Sequence, residues 1–371
     1  MSTTGTPVLG TRALNRALLH RQLLVRRSTL SAEQAVAHLV GMQAQAPNPP
    51  YLGLWTRLDG FGVEDLATLV TERKVVRVAL MRSTIHLVTA RDCRALRPLL
   101  AEMLARTVRG QFGKQVEGVD LDELAKIGTE LTDSRPLTFA ELGAELTGRW
   151  PGHDANALAQ TVRNLVPLVQ VPPRGLWGHS GQAAHTTVDT WLGRAPDPEA
   201  TADEYVRRYL AAFGPASVKD MQKWSGLTRL QEAFTRLGGR LRRYRDERGT
   251  VLYDLAETEL PDPDEDVPVR YLPEFDNILL SHADRERIMS ERHRARVFTN
   301  NGIIRATVLV DGFVHGRWRL DRAKDRATLV VEPFASLDRR VTAELAEEGA
   351  RLLAFAAADA RSHDVRFEPV G

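Results

Sequence analysis

A single cysteine, Cys93, stands among 371 residues. One thiol excludes an intrachain disulfide framework, a four-cysteine iron–sulfur cluster and a cysteine-rich zinc site, and it suits a reducing compartment. Long apolar runs are missing too. No stretch approaches the 18 or so residues of a bilayer span, and the N-terminus has no hydrophobic signal core, so the chain is expected to stay in the cytoplasm, off membranes. Aromatics are only 6% of residues, which leaves Leu, Val and Ala to build the cores. Net charge is nearly absent: 50 basic against 48 acidic residues leave +2. Averaged over the chain, that argues against a uniformly basic nucleic-acid coat. No glycine-rich phosphate loop follows a strand, and no GxSxG elbow or HExxH pair occurs. The ten histidines are scattered at no metal-ligand spacing. Neither a metal nor a cofactor is expected.

What is present is 43% hydrophobic residues, enough for two to four domains with real cores. Six lysines stand against a large excess of arginine. A GC-rich genome explains that bias blandly; bidentate phosphate recognition would explain it functionally, and composition does not separate the two. Charge is also unevenly placed. Arg73 to Arg109 holds nine basic and two acidic residues, Glu117 to Glu145 is acidic, and arginines cluster from Arg236 to Arg248 just before the acid of Asp254 to Asp266. A near-zero total therefore permits one strongly basic face.

The periodicities repeat a plan of helix, short turn, helix and two-stranded hairpin, the pattern of a helix-turn-helix with a wing. In residues 10–125, a helix near 12–24 is followed by one opened by Ser31 with Gln34 in a capping box. A third helix at 63–72 precedes VVRVALMRSTIHLVT, two strands around a turn at Arg82 and Ser83. In residues 126–195, Thr138 and Glu141 form another box, Asp154 caps a helix, and VQVPPRGLWG and HTTVDTWL read as strands. In residues 196–262, a helix stops at Gly214-Pro215, Ser217 and Asp220 cap the next, and LRRYRD and TVLYDL form the wing. After the acidic ELPDPDEDVP, residues 267–371 change texture: several strands, a hairpin turn at Asp311-Gly312, and a closing amphipathic helix at 338–357. The expected class is α+β, three tandem winged-helix units followed by a β-barrel-like domain.

The most informative stretch is LVGMQAQAPNPPYLGLW, residues 39–55. Val36, Leu39, Val40 and Gln43 fall at helical spacing, so Gln43 reads as the end of an apolar helical stripe. Gln45 lies about 200° further around an ideal helix. The two amides converge only if the helix unwinds between them, which Pro47 favours, while Pro49-Pro50 forbid a restart. Such a pair either orients a water or caps the helix end and pins the proline loop. His86, with Thr84 and Arg82 in the first wing, is either a surface hairpin residue or a polar group facing DNA or the Gln pair. Arg174 and Trp177 offer a guanidinium and an indole for phosphate contact and stacking, unless Trp177 simply anchors its own wing. Cys93 lies at an apolar position of a helix and reads as a small core residue.

These segments resemble the AlkZ-like DNA glycosylases. The resemblance rests on STLSAEQAVAHLVGMQAQAPNPPYLGLWTRL, MRSTIHLV, VPPRGLWG, YLAAFGPASVKDMQKWSGL and LPEFDNILLSHADR, in that order over residues 10 to 330. It implies three winged helices and a β-barrel around a DNA-binding concavity. It also implies monofunctional excision of N7-alkylated purines, with the family's Gln–apolar–Gln element falling on Gln43-Ala44-Gln45. Gln rather than Asp at 45 points to the branch that unhooks interstrand crosslinks and resists azinomycin-type antibiotics. The partner implied is double-stranded DNA carrying alkylated or crosslinked guanine, met by a monomer at the nucleoid. Arg82, Thr84, His86, Arg174, Trp177, Asn277, His282 and Arg285 are the residues expected to meet it. Neutral amides suit a substrate that brings its own positive charge, and no lysine near the motif offers the amine of a lyase. The competing reading is a winged-helix transcriptional regulator with a structural Gln pair, although no sustained heptads suggest a dimer seam.

Overall fold

In the computed structural model, which describes residues 6–193 and 200–370, helices begin where short polar side chains take up their free N–H groups. Reciprocal capping boxes open Ala32–His38 (Ser31, Gln34), Phe139–Arg149 (Thr138, Glu141) and Val218–Ser225 (Ser217, Asp220). Asp154 caps Ala155–Leu165 and Asp338 caps Arg339–Ala356. Ala202–Phe213 ends at Gly214, ahead of Pro215. The result is a mixed α+β fold with three sheets among the described residues.

The first sheet joins two regions that the sequence suggests are separate. Its strand order is Met42–Gln43, Ile85–Thr89, Val75–Ala79, Leu168–Gln170, Ala184–Thr187, Leu137–Thr138, antiparallel throughout. The hairpin of residues 75–89 meets strand Leu168–Gln170 edge to edge, Arg77 opposite Gln170 and Val78 opposite Val169. Each thereby satisfies backbone groups that an isolated wing leaves open. In HTTVDTWL only the first half is strand: the Thr187 hydroxyl accepts from Thr190 N and turns VDTWL into helix Val188–Leu192.

The second sheet is the hairpin Leu241–Asp246 and Val251–Leu255, extended by the N-terminal strand Val8–Leu9, which pairs in parallel with Val8 opposite Arg245. The following helix, Thr11–Arg21, packs on Ala202–Phe213 rather than within its own sequence unit. Leu18 and Leu19 share a core with Tyr209 and Trp224, Arg21 forks onto Asp254 at 2.7 and 2.6 Å, and Gln22 Nε2 donates to the Ala212 carbonyl at 2.6 Å. The expected boundary at 195/196 lies outside the described residues.

The third sheet orders Arg270–Leu272, Thr307–Val310, Phe313–Ala323, Arg326–Pro333 and Ser362–Phe367. Helix Arg339–Ala356 covers it, with Leu345, Leu352 and Leu353 against Tyr271 and Leu329. The Asp311-Gly312 turn sits where expected, with positive φ at both residues. Three features depart from the sequence reading. Among the described residues the sheet stays open instead of closing as a barrel. Strand Ser362–Phe367 adds a parallel edge, and helix Glu291–Val297 interrupts the strand-like run. RYLPEFDNILL is strand only through Leu272, because its Asp276 caps a short 3-10 turn at Asn277–Leu279.

Candidate active site

Helix Ala32–His38 stops early. Val40 at φ 55° and Gly41 at φ 90° turn the chain into strand Met42–Gln43. A Cβ at Gly41 would lie 2.5 Å from Val88 Cγ1 and 3.1 Å from the Leu87 carbonyl, so only glycine lets the strand lie this close to its neighbour. Gln43 therefore does not continue a helical stripe; it pairs across the sheet with His86. Ala44 N donates to the Ile85 carbonyl at 2.7 Å and carries the extended run onward. Met42 and Ala44 enter the core around Tyr51 and Leu54, Gln43 lies on the other face of the strand, and Gln45 stands in the bend that follows it. No unwinding between the two amides is needed. Pro49 and Pro50, far from forbidding a restart, occupy the first turn of helix Pro49–Trp55, where an N–H has no intrahelical partner to lose.

Each amide is held by its carbonyl. Arg82 Nη2 donates to Gln43 Oε1 at 2.8 Å, and the Ile85 backbone N donates to Gln45 Oε1 at 3.3 Å. Gln43 is 7% exposed, while Gln45 is open to solvent. The strand beneath them is pinned from two sides. Asn277 Oδ1 accepts from Gln43 N at 3.1 Å and its Nδ2 donates to the Gly41 carbonyl at 2.6 Å. Arg77 donates to the Ala44 carbonyl at 2.6 Å and to Gln170 Oε1 at 3.0 Å. Arg77 fits under the PPRGLWG loop because Gly175, at φ 97°, has no Cβ; one built there would meet Arg77 Cδ at 2.5 Å. Asn277 is placed by Asp276, whose carboxylate accepts from both Arg57 terminal nitrogens at 2.8 Å and from Ile278 N at 3.1 Å.

The residues expected at DNA divide sharply. Arg82 sits in the turn Met81–Ser83 and spans Gln43 Oε1 and the Trp224 carbonyl. Burial lowers its pKa to about 10, which leaves it charged at neutral pH. Thr84 returns its hydroxyl to the Met81 carbonyl. His86 is fully buried, and desolvation, aided by Arg82, pushes its pKa down to about 3. Its ring is therefore neutral at neutral pH, with Nδ1 3.0 Å from the Thr84 carbonyl and Nε2 unpartnered. Asn277 and His282 are interior as well; His282 bridges Ser281 Oγ at 2.9 Å and the Phe213 carbonyl at 3.0 Å. For these three the expectation of DNA contact is corrected by burial: His86 lies inside the first sheet opposite Gln43, and residues 277–282 are interior rather than a surface loop, with Asn277 and His282 bonded to the protein's own groups. Trp177 packs on Tyr51 and Phe355 at ring distances of 5.3 and 5.5 Å, the anchoring role. Arg174 and Arg285 are half-buried, donating to the Gly181 and Leu279 carbonyls.

Arg57, Arg77, Gly41 and Gly175 escaped the sequence reading. Arg77 alone left a signal, a charge inside the apolar run VVRVAL that only a buried, fully partnered guanidinium tolerates. Among the described residues no cluster of three or more His, Cys, Asp or Glu side chains is placed to hold a metal. The cavity beside Gln43, lined also by Arg57, Asp276 and Asn277, measures about 10 Å³. That is the room of one water, not of a purine.

Two neutral amides two residues apart, each held through its carbonyl oxygen by the segment of residues 82–85, can give a hydrogen bond to a water or an anionic backbone and take one from a water. The comparisons give this class its chemistry. Residues 36–355, which include Gln43, Gln45, Arg82 and Asn277, match the family described as DNA glycosylase AlkZ-like. The chain belongs to this AlkZ-like DNA glycosylase family and is an enzyme of that kind, which sets aside the transcriptional-regulator reading. It is 26% identical over 360 residues to an interstrand DNA cross-link repair glycosylase of Streptomyces sahachiroi, covering 90% of this chain and 93% of that one. The fold is similar to that of the solved Streptomyces sahachiroi DNA glycosylase AlkZ, with a TM-score of 0.79 at 23% identity over 97% of this chain and 100% of that one. Among the described residues no helix is long and apolar enough to cross a membrane.

Proposed function

We propose that the protein hydrolyses the N-glycosidic bond of cationic N7-alkylguanine in duplex DNA and unhooks interstrand crosslinks built on that adduct, including azinomycin-type lesions. The observation that carries this reading is the Gln43/Gln45 pair: two amides two residues apart, each fixed through its oxygen by the segment of residues 82–85. An N7-alkylated guanine already carries positive charge, so its bond to C1′ breaks without a protein acid. The C1′–N9 electron pair leaves with the base, a water oxygen bonds to C1′, and one water proton is released. The transition state has oxocarbenium character and needs a placed water and stabilised charge, not a strong base. Gln43 and Gln45 hold that water opposite the departing base. A crosslinked base remains tethered to the other strand, so the target nucleotide stays largely in the duplex rather than swinging into a pocket.

The helix–hairpin repeats at 10–125, 126–195 and 196–262 act as three winged-helix units that carry a monomer along the DNA, with residues 267–371 bracing them. Thr84, Arg174 and Arg285, which keep some exposure, are the phosphate-facing candidates among those named from the sequence. The location is the bacterial cytoplasm, at the nucleoid. The test is incubation of duplexes carrying N7-methylguanine, or a guanine crosslink, with wild type and with Gln43→Ala and Gln45→Ala. Abasic sites are expected from wild type and a loss on the order of 100-fold from each variant. Variants that match wild type would remove the amides from the chemistry, and an intact crosslink beside an excised monoadduct would restrict the substrate.

A further inference from the structure

We infer that Arg82 is the positioning residue of the glutamine pair: it fixes which end of the Gln43 amide faces the DNA. The inference rests on the glycosylase reading above and deepens it. A guanidinium nitrogen and a backbone N–H are obligate donors, so the atoms they meet at 2.8 and 3.3 Å are necessarily amide oxygens. The orientation of both amides is thus settled by their partners: carbonyls toward the turn of residues 81–85, amino groups away from it. Each oxygen keeps one lone pair, so each amide offers the outside an N–H₂ donor and one acceptor site, the combination that both gives to and takes from a water.

The turn that delivers Arg82 is strained in a way the local sequence does not require. Arg82 and Ser83 have φ of 56° and 59°, two consecutive left-handed residues with side chains. Such a conformation is strained for a residue with a side chain and persists only where surroundings hold it. Ser83 is held by hydrogen bonds to Asn164 and Arg163, from the neighbouring unit. Arg82 is held by the Trp224 carbonyl at the end of helix Val218–Ser225, where a cation also meets the negative end of the helix dipole. Its partners are two neutral oxygens, so its charge polarises the amide it touches.

His86 shows why a lesser donor would not serve. It stands directly opposite Gln43 in the sheet, and its Nδ1 is committed as donor to the Thr84 carbonyl, so its unpartnered Nε2 is a bare acceptor. Without Arg82, the Gln43 amide gains by rotating its N–H₂ toward that acceptor, which satisfies a buried lone pair and turns the wrong end to the substrate.

The experiment is a single-turnover assay at saturating enzyme on duplex containing N7-methylguanine, alongside binding to undamaged duplex at two salt concentrations. Arg82→Met is expected to lower the saturating rate on the order of 10- to 100-fold. Duplex affinity should stay within about twofold and its salt slope unchanged. Arg82→Lys, which restores one charged donor, should recover part of the rate and keep the fold if the Met variant does not. Because Arg82 acts through Gln43, adding Arg82→Met to Gln43→Ala should cost nothing further. Losses that multiply in the double variant would overturn the inference. So would an intact saturating rate with weakened binding and a salt slope reduced by about one, the signature of a phosphate contact. A wild type that leaves no abasic site would sink the glycosylase reading and this inference with it, whereas an active wild type with multiplying losses sinks this inference alone.

Discussion

Asn277 carries a disproportionate share of the site for one neutral side chain. Its two amide atoms close onto Gln43 N and the Gly41 carbonyl, 234 and 236 residues away in sequence, and both contacts are buried. Asn277→Asp would place a carboxylate oxygen 2.6 Å from that carbonyl where a donor now sits. A loss of roughly 2–4 kcal/mol is expected in urea unfolding, together with slower base excision. A loss below about 0.5 kcal/mol would show that the strand is fixed by other means. A second prediction concerns His185, stacked on Phe139 at 4.0 Å and depressed to about 4 by burial. Its folded pKa lies below the unfolded value near 6.5, so the unfolded chain binds the extra proton. Its contribution is complete above pH 6.5 and is lost as pH falls toward 4. His185→Phe keeps the stacking, so stability should fall from pH 7 to pH 5 by roughly 2 kcal/mol less in that variant than in wild type. At this scale the sequence named Gln43 and Gln45, because a recurrent pair of amides before a proline loop is visible in one dimension. It named Asn277 and Arg82 only as DNA contacts, because their hold on Gln43 exists only once the fold brings residues 82 and 277 to it.

Among the elements, the five residues from Leu39 to Gln43 decide most. The chain passes from helix to strand over Val40 and Gly41, and that turn brings Gln43 opposite His86 and both amides to the segment of residues 82–85. Gly41→Ala would force a Cβ into Val88 at 2.5 Å and hold an L-residue at φ 90°. It should cost about 1–3 kcal/mol and lower excision, measured on the same preparation by thermal melting and by abasic-site release. Full activity with an unchanged melt would mean the strand relaxes without cost. Capped helices and the Asp311-Gly312 turn were legible in the sequence because their signals span four residues or fewer. The helix-to-strand change was not, since Val36, Leu39, Val40 and Gln43 satisfy a helical period on paper. Pairing with Ile85–Thr89 overrides that period once the sheet forms.

Over the whole molecule, the excess of arginine takes on a third meaning beside genome bias and phosphate binding. Arg16, Arg57, Arg77, Arg97, Arg270 and Arg287 are buried, and several fork onto carbonyls or carboxylates of distant segments. Arg57, just after helix Pro49–Trp55, and Asp276, beyond strand Arg270–Leu272 of the third sheet, form a fully buried ion pair. Asp276→Ala should cost about 3–5 kcal/mol by stranding that cation, and the double change Arg57→Met with Asp276→Leu should cost clearly less. Urea midpoints of the two variants decide it; equal losses would mean the pair contributes only volume. The acidic segment 259–268 also finds its place here. Arg16 Nε donates to the Glu265 carbonyl, and His20 and Arg12 pair with the Glu265 and Asp264 carboxylates, so the segment lies against helix Thr11–Arg21. By itself, the sequence determined the α+β class and the helix starts, which rest on composition or on near neighbours, and it pointed to the Gln–Ala–Gln element through the family resemblance. Only the tertiary structure decided how strands from residues 42–89 and 137–187 join in one sheet, that the C-terminal sheet stays open among the described residues, and which groups hold the amides. Those outcomes come from contacts between residues tens to hundreds of positions apart, where burial rather than local propensity sets the free energy.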